Sequence, residues 1–230
     1  MNNKTREIVL DTETTGLNAK NGDRVIEIGC VELIGHIPSG KTFQTYLNPG
    51  SKQVSKDAIK VHNIDNEFLK TQPAFKNKAN EFIDFLSNDI LVIHNSKFDL
   101  EFLNNELKLC QMKPINNPIV DTLVLAKRKI GTGQANLDSL CKRYNISLDQ
   151  RKVHGALLDA TLLAEVYIEL LGGRQADLNF LTENQTKDKN NPMDKKNKET
   201  KKIIVKNDDI NAHKNFVKSI KNALWNKHSY

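Results

Sequence analysis

No run in the sequence approaches the ~20 successive apolar residues that a membrane-spanning helix needs, and none of its three cysteines forms a C-x-x-C pair. The first absence excludes a helical membrane protein. The second excludes a clustered zinc site or a disulfide framework, because Cys30, Cys110 and Cys141 are scattered and odd in number. A basic excess is also missing from most of the chain. The net charge is +6, but residues 182–230 hold 12 Lys against 6 acidic residues, which leaves 22 of each sign in the first 181. The pI of about 9.1 therefore describes the tail. The body lacks the uniformly basic coat that would hold a nucleic acid by charge alone. Met1 to Arg6 leads straight into a strand-like stretch with no apolar leader, so a reduced cytoplasmic setting is expected.

The apolar pattern that is present predicts an α/β fold. Residues 6–11, 24–34 and 41–48 read as strands, with Gly35, Pro38 and Gly40 marking a hairpin between the last two. Ile90 to Ile93 and a stretch ending at Ile119-Val120 add two short strands. Helical periods run over 75–86, 97–109, 122–130, 136–143 and 156–171, with Asn95 or Ser96 as N-cap of the second and Gly172-Gly173 stopping the last. Three strands first, then alternation, imply a mixed sheet with helices packed on it. From Thr182 to Lys202 the only hydrophobic residue is Met193, so that segment is expected to be a flexible linker. Apolar residues return at Ile203, and Phe216, Val217, Ile220, Ala223 and Leu224 share one helical face.

Three short stretches carry chemistry. In Asp11-Thr12-Glu13-Thr14-Thr15-Gly16, a period-2 strand puts Asp11 and Glu13 on one face. Two acids beside a buried apolar run are costly unless a cation neutralises them, and hard divalent ions prefer carboxylate oxygens. In His94-Asn95-Ser96-Lys97-Phe98-Asp99, Asp99 falls in the first turn of a helix after a strand. In His154-Gly155-Ala156-Leu157-Leu158-Asp159, five helical steps would splay the two side chains by about 140°. His154 is therefore placed in the preceding loop and Asp159 inside the helix, among Ala and Leu residues where a carboxylate needs a partner. The acids converge without enough basic partners nearby in sequence. Taken singly, each has a plainer reading: a solvated strand end, a helix-dipole acid, a surface histidine.

Together, Asp11, Glu13, Asp99, His154 and Asp159 resemble the DEDD superfamily of 3'→5' exonucleases, in its histidine subgroup, over roughly residues 6–171. The resemblance is nearest to the epsilon proofreading subunits of bacterial DNA polymerase III. Asp57-Ala58-Ile59-Lys60-Val61-His62 is similar to the segment by which that family contacts the terminal nucleotide, though the family more often has Glu where Asp57 stands. The stretch from Ile203 to Trp225 is similar to the family's tail.

The resemblance implies a ribonuclease H-like five-stranded mixed sheet with flanking helices and a two-metal mechanism using Mg²⁺ or Mn²⁺. It implies that Asp11 bridges both ions, that Glu13 and Asp159 complete one site, that Asp99 holds the other and that His154 is the general base. Thr14, Gly16 and Leu17 would seat the terminal nucleotide, Phe98 would wedge against the last bases, and Asp57 and His62 would touch substrate. Residues 1–173 would form the exonuclease domain, 174–202 the linker and 203–230 the segment that binds the polymerase III catalytic subunit, through Phe216, Ile220, Leu224 and Trp225. Gln175-Ala176-Asp177-Leu178-Asn179-Phe180 resembles the Q-x-x-L-x-F sliding-clamp peptide, with Gln175, Leu178 and Phe180 at the fixed positions. A small accessory subunit is a further implied partner, and the implied substrate is a frayed or single-stranded DNA 3' end. An RNA-trimming exonuclease of the same superfamily would carry the same five residues, and the tail is the feature that argues against it. A non-catalytic module of the same fold is disfavoured because all five positions are filled.

Overall fold

The computed structural model describes residues 5–131, 133–149, 151, 153–172 and, in the tail, 208, 210–212 and 215–216. The strands are β1 (Arg6–Thr14), β2 (Val25–Ile34), β3 (Ile37–Tyr46), β4 (Ile90–Ile93) and β5 (Ile119–Asp121). They form one sheet in the order β3-β2-β1-β4-β5. β1, β2 and β3 pair antiparallel, and β1, β4 and β5 pair parallel. This is the expected mixed five-stranded sheet. The helices are α1 (Lys56–His62), α2 (Asn66–Lys70), α3 (Phe75–Leu86), α4 (Ser96–Leu109), α5 (Thr122–Ile130), α6 (Leu137–Arg143) and α7 (Ala156–Leu171).

The strand period of two decides which layer each residue of β1 meets. Ile8 and Leu10 join Phe75, Phe82, Phe102 and Leu103 in a core on the α3–α4 side. Val9 joins Val31, Val92, Ala160 and Leu163 in a core on the α7 side. Continuing the alternation puts Asp11 and Glu13 on the α7 face and Thr12 on the α4 face. The apolar part of β1 thus aims the acidic part. α7 is apolar on more than one side because it packs between the sheet and a third cluster containing Ala126, Leu140 and Cys141.

Gly29 brings α7 close enough to matter. It pairs with Asp11 across the ladder. A Cβ there would lie 2.2 Å from the Ala156 carbonyl carbon and the Leu157 nitrogen. Only a residue without a side chain lets the first turn of α7 cross β2 at this point. Gly155 is the N-cap of α7 and offers no side chain, so buried Glu27 takes over, its Oε2 accepting from the Ala156 nitrogen at 3.1 Å.

Four features differ from the sequence reading. Pro38 and Gly40 lie inside β3, and the hairpin turn is Gly35-His36, both at positive φ. β1 runs on to Thr14, because the ladder with β2 continues past Asp11 to Glu27 and Val25. α1 and α2 are too short to show an apolar period, though their N-caps Ser55 and Asp65 each accept from the nitrogen three residues on. α4 starts at a left-handed Asn95 whose side chain caps nothing; Asp121 instead accepts from the Ser96 nitrogen at 2.9 Å.

The chain divides into two compact units, Met1–Phe180 and Leu181–Tyr230. In the second, residues 208, 210–212 and 215–216 are helical. The linker, the 175–180 peptide and Ile220, Leu224 and Trp225 lie outside the described residues.

Candidate active site

A cleft of about 390 Å³ opens where β1, α4 and α7 meet, and Asp11, Glu13, Phe98, Asp99, His154 and Asp159 all line it. Each arrives by a different local device. Asp11 and Glu13 come from the α7 face of β1. Asp99 comes from the first turn of α4 and is buried, with the Thr12 hydroxyl donating to its Oδ1 at 2.7 Å. Asp159 comes from the first turn of α7, four residues beyond its N-cap. His154 sits in the loop before α7, its side chain 43% exposed, held by its backbone nitrogen donating to the Val61 carbonyl at 3.0 Å. Donor atoms of Glu13, His154 and Asp159 all lie within 4.8 Å of one another.

The other candidates are placed less uniformly. Phe98 packs on Phe102 at 4.8 Å between ring centroids and forms part of the cleft wall. Thr14 is buried and its hydroxyl donates to the Gly16 carbonyl at 2.6 Å. A Cβ at Gly16 would meet the Asp23 carboxyl at 2.5 Å, so a larger residue there would push that side chain aside. Leu17 is 85% exposed. Asp57 lies on the open face of α1, paired with Lys60 at 3.0 Å and outside the cleft lining. His62 is buried, unlike the exposed helix-end histidine that its position at the end of α1 suggests. Its Nδ1 accepts from the Ile64 nitrogen at 3.0 Å, while Nε2 has no hydrogen-bond partner among the described residues.

One residue that matters here has no signal in the sequence. Arg151 lines the cleft, its side chain only 7% exposed. Its Nε and one terminal nitrogen donate to Oδ1 and Oδ2 of Asp159, both at 2.6 Å. That same terminal nitrogen lies 2.9 Å from His154 Nδ1, and the other contacts Asp138. A guanidinium has no acceptor, so toward Arg151 His154 Nδ1 accepts, while the same nitrogen lies 3.2 Å from Asp159 Oδ2, to which it can only donate. The expectation that the acids lack a basic partner is thus corrected for Asp159. R-x-x-H is too short and too common a pattern to announce this contact; it needs the loop to fold back onto α7.

Arg151 neutralises the cluster unevenly. Burial pushes Asp159 up, but the Arg151 fork and His154 outweigh it and hold its carboxyl below the ordinary range. Asp11 is raised well above its ordinary value by burial and by the charges of Asp99, Asp159 and Glu13. Burial and the neighbouring Asp159 and Glu27 push Glu13 up to about 8, and burial takes Asp99 to about 7 despite the Thr12 hydrogen bond. Such crowding fits a site built for a divalent cation, and an all-carboxylate set with one imidazole suits a hard ion.

A pH dependence follows for the metal-free protein. Unfolded carboxylates titrate near pH 4. Folded Glu13 and Asp99 hold their protons to about 8 and about 7. The folded state therefore binds more protons through this window, and stability falls as pH rises across it. Melting in a metal chelator is expected to drop steadily between pH 5 and pH 8.5, by roughly 10 °C or more. A melting temperature that rises over this range would contradict the assignment.

Comparison with known proteins agrees with this geometry. The Exonuclease family model matches residues 8–167. The DNA polymerase III subunit epsilon of Rickettsia felis is 40% identical over 230 aligned residues, covering 94% of this chain and 96% of the relative. The corresponding subunit of the Acyrthosiphon pisum Buchnera aphidicola is 38% identical, covering 97% of this chain and all of the relative. The chain belongs to the DNA polymerase III epsilon-subunit family. Like that family it is a 3'→5' exonuclease, and the family's dependence on a divalent metal agrees with the donor set of the cleft. The epsilon fold is shared with the nuclease domain of 3'hExo, a DEDDh family member solved with rAMP, at TM-score 0.65 and 19% identity over 74% of this chain and 93% of that one. Exonuclease X, solved with 5'-overhanging duplex DNA, superposes at TM-score 0.58 and 20% identity over 72% and 90%.

Proposed function

We propose that the cleft hydrolyses the last phosphodiester of a frayed DNA 3' end and releases a nucleoside 5'-monophosphate, while the tail keeps the chain beside the polymerase III catalytic subunit. The observation that carries this reading is the convergence of Asp11, Glu13, Asp99, His154 and Asp159 on one cleft. Asp11, Glu13, Asp99 and Asp159 would hold two Mg²⁺ or Mn²⁺ ions. Bound there, the ions would offset charge on the phosphate and acidify a water. His154, half exposed on the loop before α7, would take the proton from that water.

The substrate contacts follow from the same placement. Phe98 offers a ring face against which a base can stack, whatever its sequence. Exposed Leu17 offers an apolar side chain to the substrate. The buried Nε2 of His62, without a side-chain partner among the described residues, would donate to the terminal nucleotide. Asp57 retains a substrate role only through the family likeness, since its carboxylate points away with Lys60.

A body with balanced charge suits delivery by a polymerase. It would not hold duplex DNA alone, and mismatched ends unpair at lower cost than matched ones. The identity to epsilon subunits spans 94–97% of the chain, which favours DNA over RNA as substrate. Residues 203–230 are proposed to bind the polymerase, the 175–180 peptide the sliding clamp, and the folded unit a small accessory subunit. No helix among the described residues is long and apolar enough to cross a membrane, and the proposed setting is the bacterial cytoplasm.

The test is co-elution with purified polymerase subunit and clamp. A chain ending at Gly173 is expected to keep nuclease activity on single strands and to lose the polymerase. Changing Gln175, Leu178 and Phe180 to Ala is expected to loosen only the clamp. Continued co-elution of the truncated chain with the polymerase would place the docking surface on the folded unit instead.

A further inference from the structure

We propose that Arg151 is a resident counter-cation that occupies the acidic cleft until a divalent metal displaces it, so that metal loading is a competition with an internal guanidinium. The inference rests on the metal-site reading above and adds a residue to it.

Arg151 is bound where a metal would be bound. Of the donor set Glu13, His154 and Asp159, it engages both oxygens of Asp159 and the Nδ1 of His154. Its third nitrogen is taken by Asp138, so each nitrogen of the fork has a partner. Bidentate contacts of this kind are strong and geometrically specific to arginine. A dication coordinated by the same Asp159 oxygens would sit against the guanidinium and be repelled by it. Both cannot hold Asp159 together, so binding of one opposes the other.

The structure also supplies a place for the side chain to go. A second cleft of about 290 Å³ lies on the other side of Arg151 and shares it as a wall. Ser147, Asp149, Thr161 and Glu165 line it, and both acids are exposed. Ile146, Leu158 and Leu162 complete its lining, and rotation of the Arg151 side chain would carry the guanidinium toward the two acids. Its departure would also release His154 Nδ1, which in the arginine-bound arrangement accepts from the guanidinium. One movement would then clear Asp159 for metal and His154 for proton transfer.

The arrangement has a thermodynamic consequence. Apparent metal affinity is reduced by the fraction of molecules in which Arg151 holds Asp159. Removing the guanidinium should destabilise the metal-free protein and tighten its hold on metal. Most losses of a residue from a metal cleft would do the opposite to the affinity.

The experiment is calorimetric titration of Mn²⁺ into the full-length chain, alongside melting in chelator, for the wild type, Arg151→Gln and Arg151→Lys. Arg151→Gln is expected to melt several degrees lower without metal and to bind Mn²⁺ about tenfold more tightly, if the open state is populated about one time in ten. Arg151→Lys keeps a charge but not the fork, so a smaller gain in affinity and a smaller loss of melting temperature are expected; it serves as the test should Arg151→Gln not fold. Equal or weaker Mn²⁺ affinity in the folded variant would overturn the role of Arg151 while leaving the metal site standing. Absence of any Mn²⁺ binding by the wild type at millimolar concentration would overturn the metal reading and this inference with it.

Discussion

Replacing Asp11 with Asn is expected to abolish nuclease activity and, at the same time, to raise the melting temperature of the metal-free protein. Asp11 sits in the cleft among Asp99, Asp159 and Glu13, and its burial, together with each of these neighbours, pushes its carboxyl above the ordinary range. Near neutral pH in chelator, folding must either bury that carboxylate or make it take up a proton, and either is a cost. Removing that charge should return on the order of 2 kcal/mol, or about 4–8 °C in a domain of this size. The same substitution at Asp159 should also abolish activity, but with the opposite effect on stability. Asp159 is held below the ordinary range by Arg151, and Asp159→Asn would leave a buried guanidinium without its bidentate carboxylate, held by half-exposed Asp138 and the His154 Nδ1. Breaking a buried pair by removing one partner costs about 3 kcal/mol or more, so a fall of roughly 6–12 °C is expected. Two carboxylates of one metal site should therefore move the chelator melting curve in opposite directions. Differential scanning calorimetry of the two variants checks this; shifts of the same sign would refute the uneven neutralisation of the cluster by Arg151.

His154→Ala is expected to lower kcat by about 10²–10⁴-fold, the usual contribution of acid–base catalysis, with little change in the affinity for a single-stranded 3' end. The side chain is 43% exposed and its anchor is a backbone hydrogen bond to Val61, so the loop should survive the substitution. Metal affinity should fall only modestly, because three carboxylates besides Asp159 remain. Single-turnover cleavage measured beside equilibrium DNA binding separates the possibilities. A large loss of DNA affinity with unchanged turnover would make His154 a binding residue and leave the base unassigned.

How much of this site can be read from the chain depends on the range of each contact. Asp11 and Glu13 share a face because of a two-residue period, and Asp159 belongs to a helix because Ala, Leu and Val surround it; both are local facts. The loop position of His154 follows from a five-residue spacing that a helix would splay. What puts these pieces together is not local. Gly29 matters because β2 pairs Gly29 with Asp11 and α7 crosses there at backbone distance. Glu27 caps a helix 129 residues away. Neither role has a signature in sequence, since each depends on register and on which helix packs over which strand. Arg151 is hidden for a related reason: its distance along the chain from Asp159 is short, but the bend that turns its fork inward is not encoded in any period. His62 looks exposed from its place at the end of a short polar helix, yet it is buried, because α1 packs its Ala58 and Ile59 against Ile26, Val54, Ile64 and Leu69. The two helices α1 and α2 are hidden by their length, with only their Ser and Asp caps to mark them.

The central claim, metal-dependent removal of nucleotides from a 3' end, is tested most directly by the fate of a 5'-labelled single-stranded DNA incubated with the full-length chain. With Mn²⁺ or Mg²⁺ the labelled strand should shorten stepwise from its 3' end and release nucleoside 5'-monophosphates, and a chelator or Asp11→Asn should stop this. Shortening that persists in chelator, release of the 5' label as the first product, or a substrate left intact with either metal would contradict it.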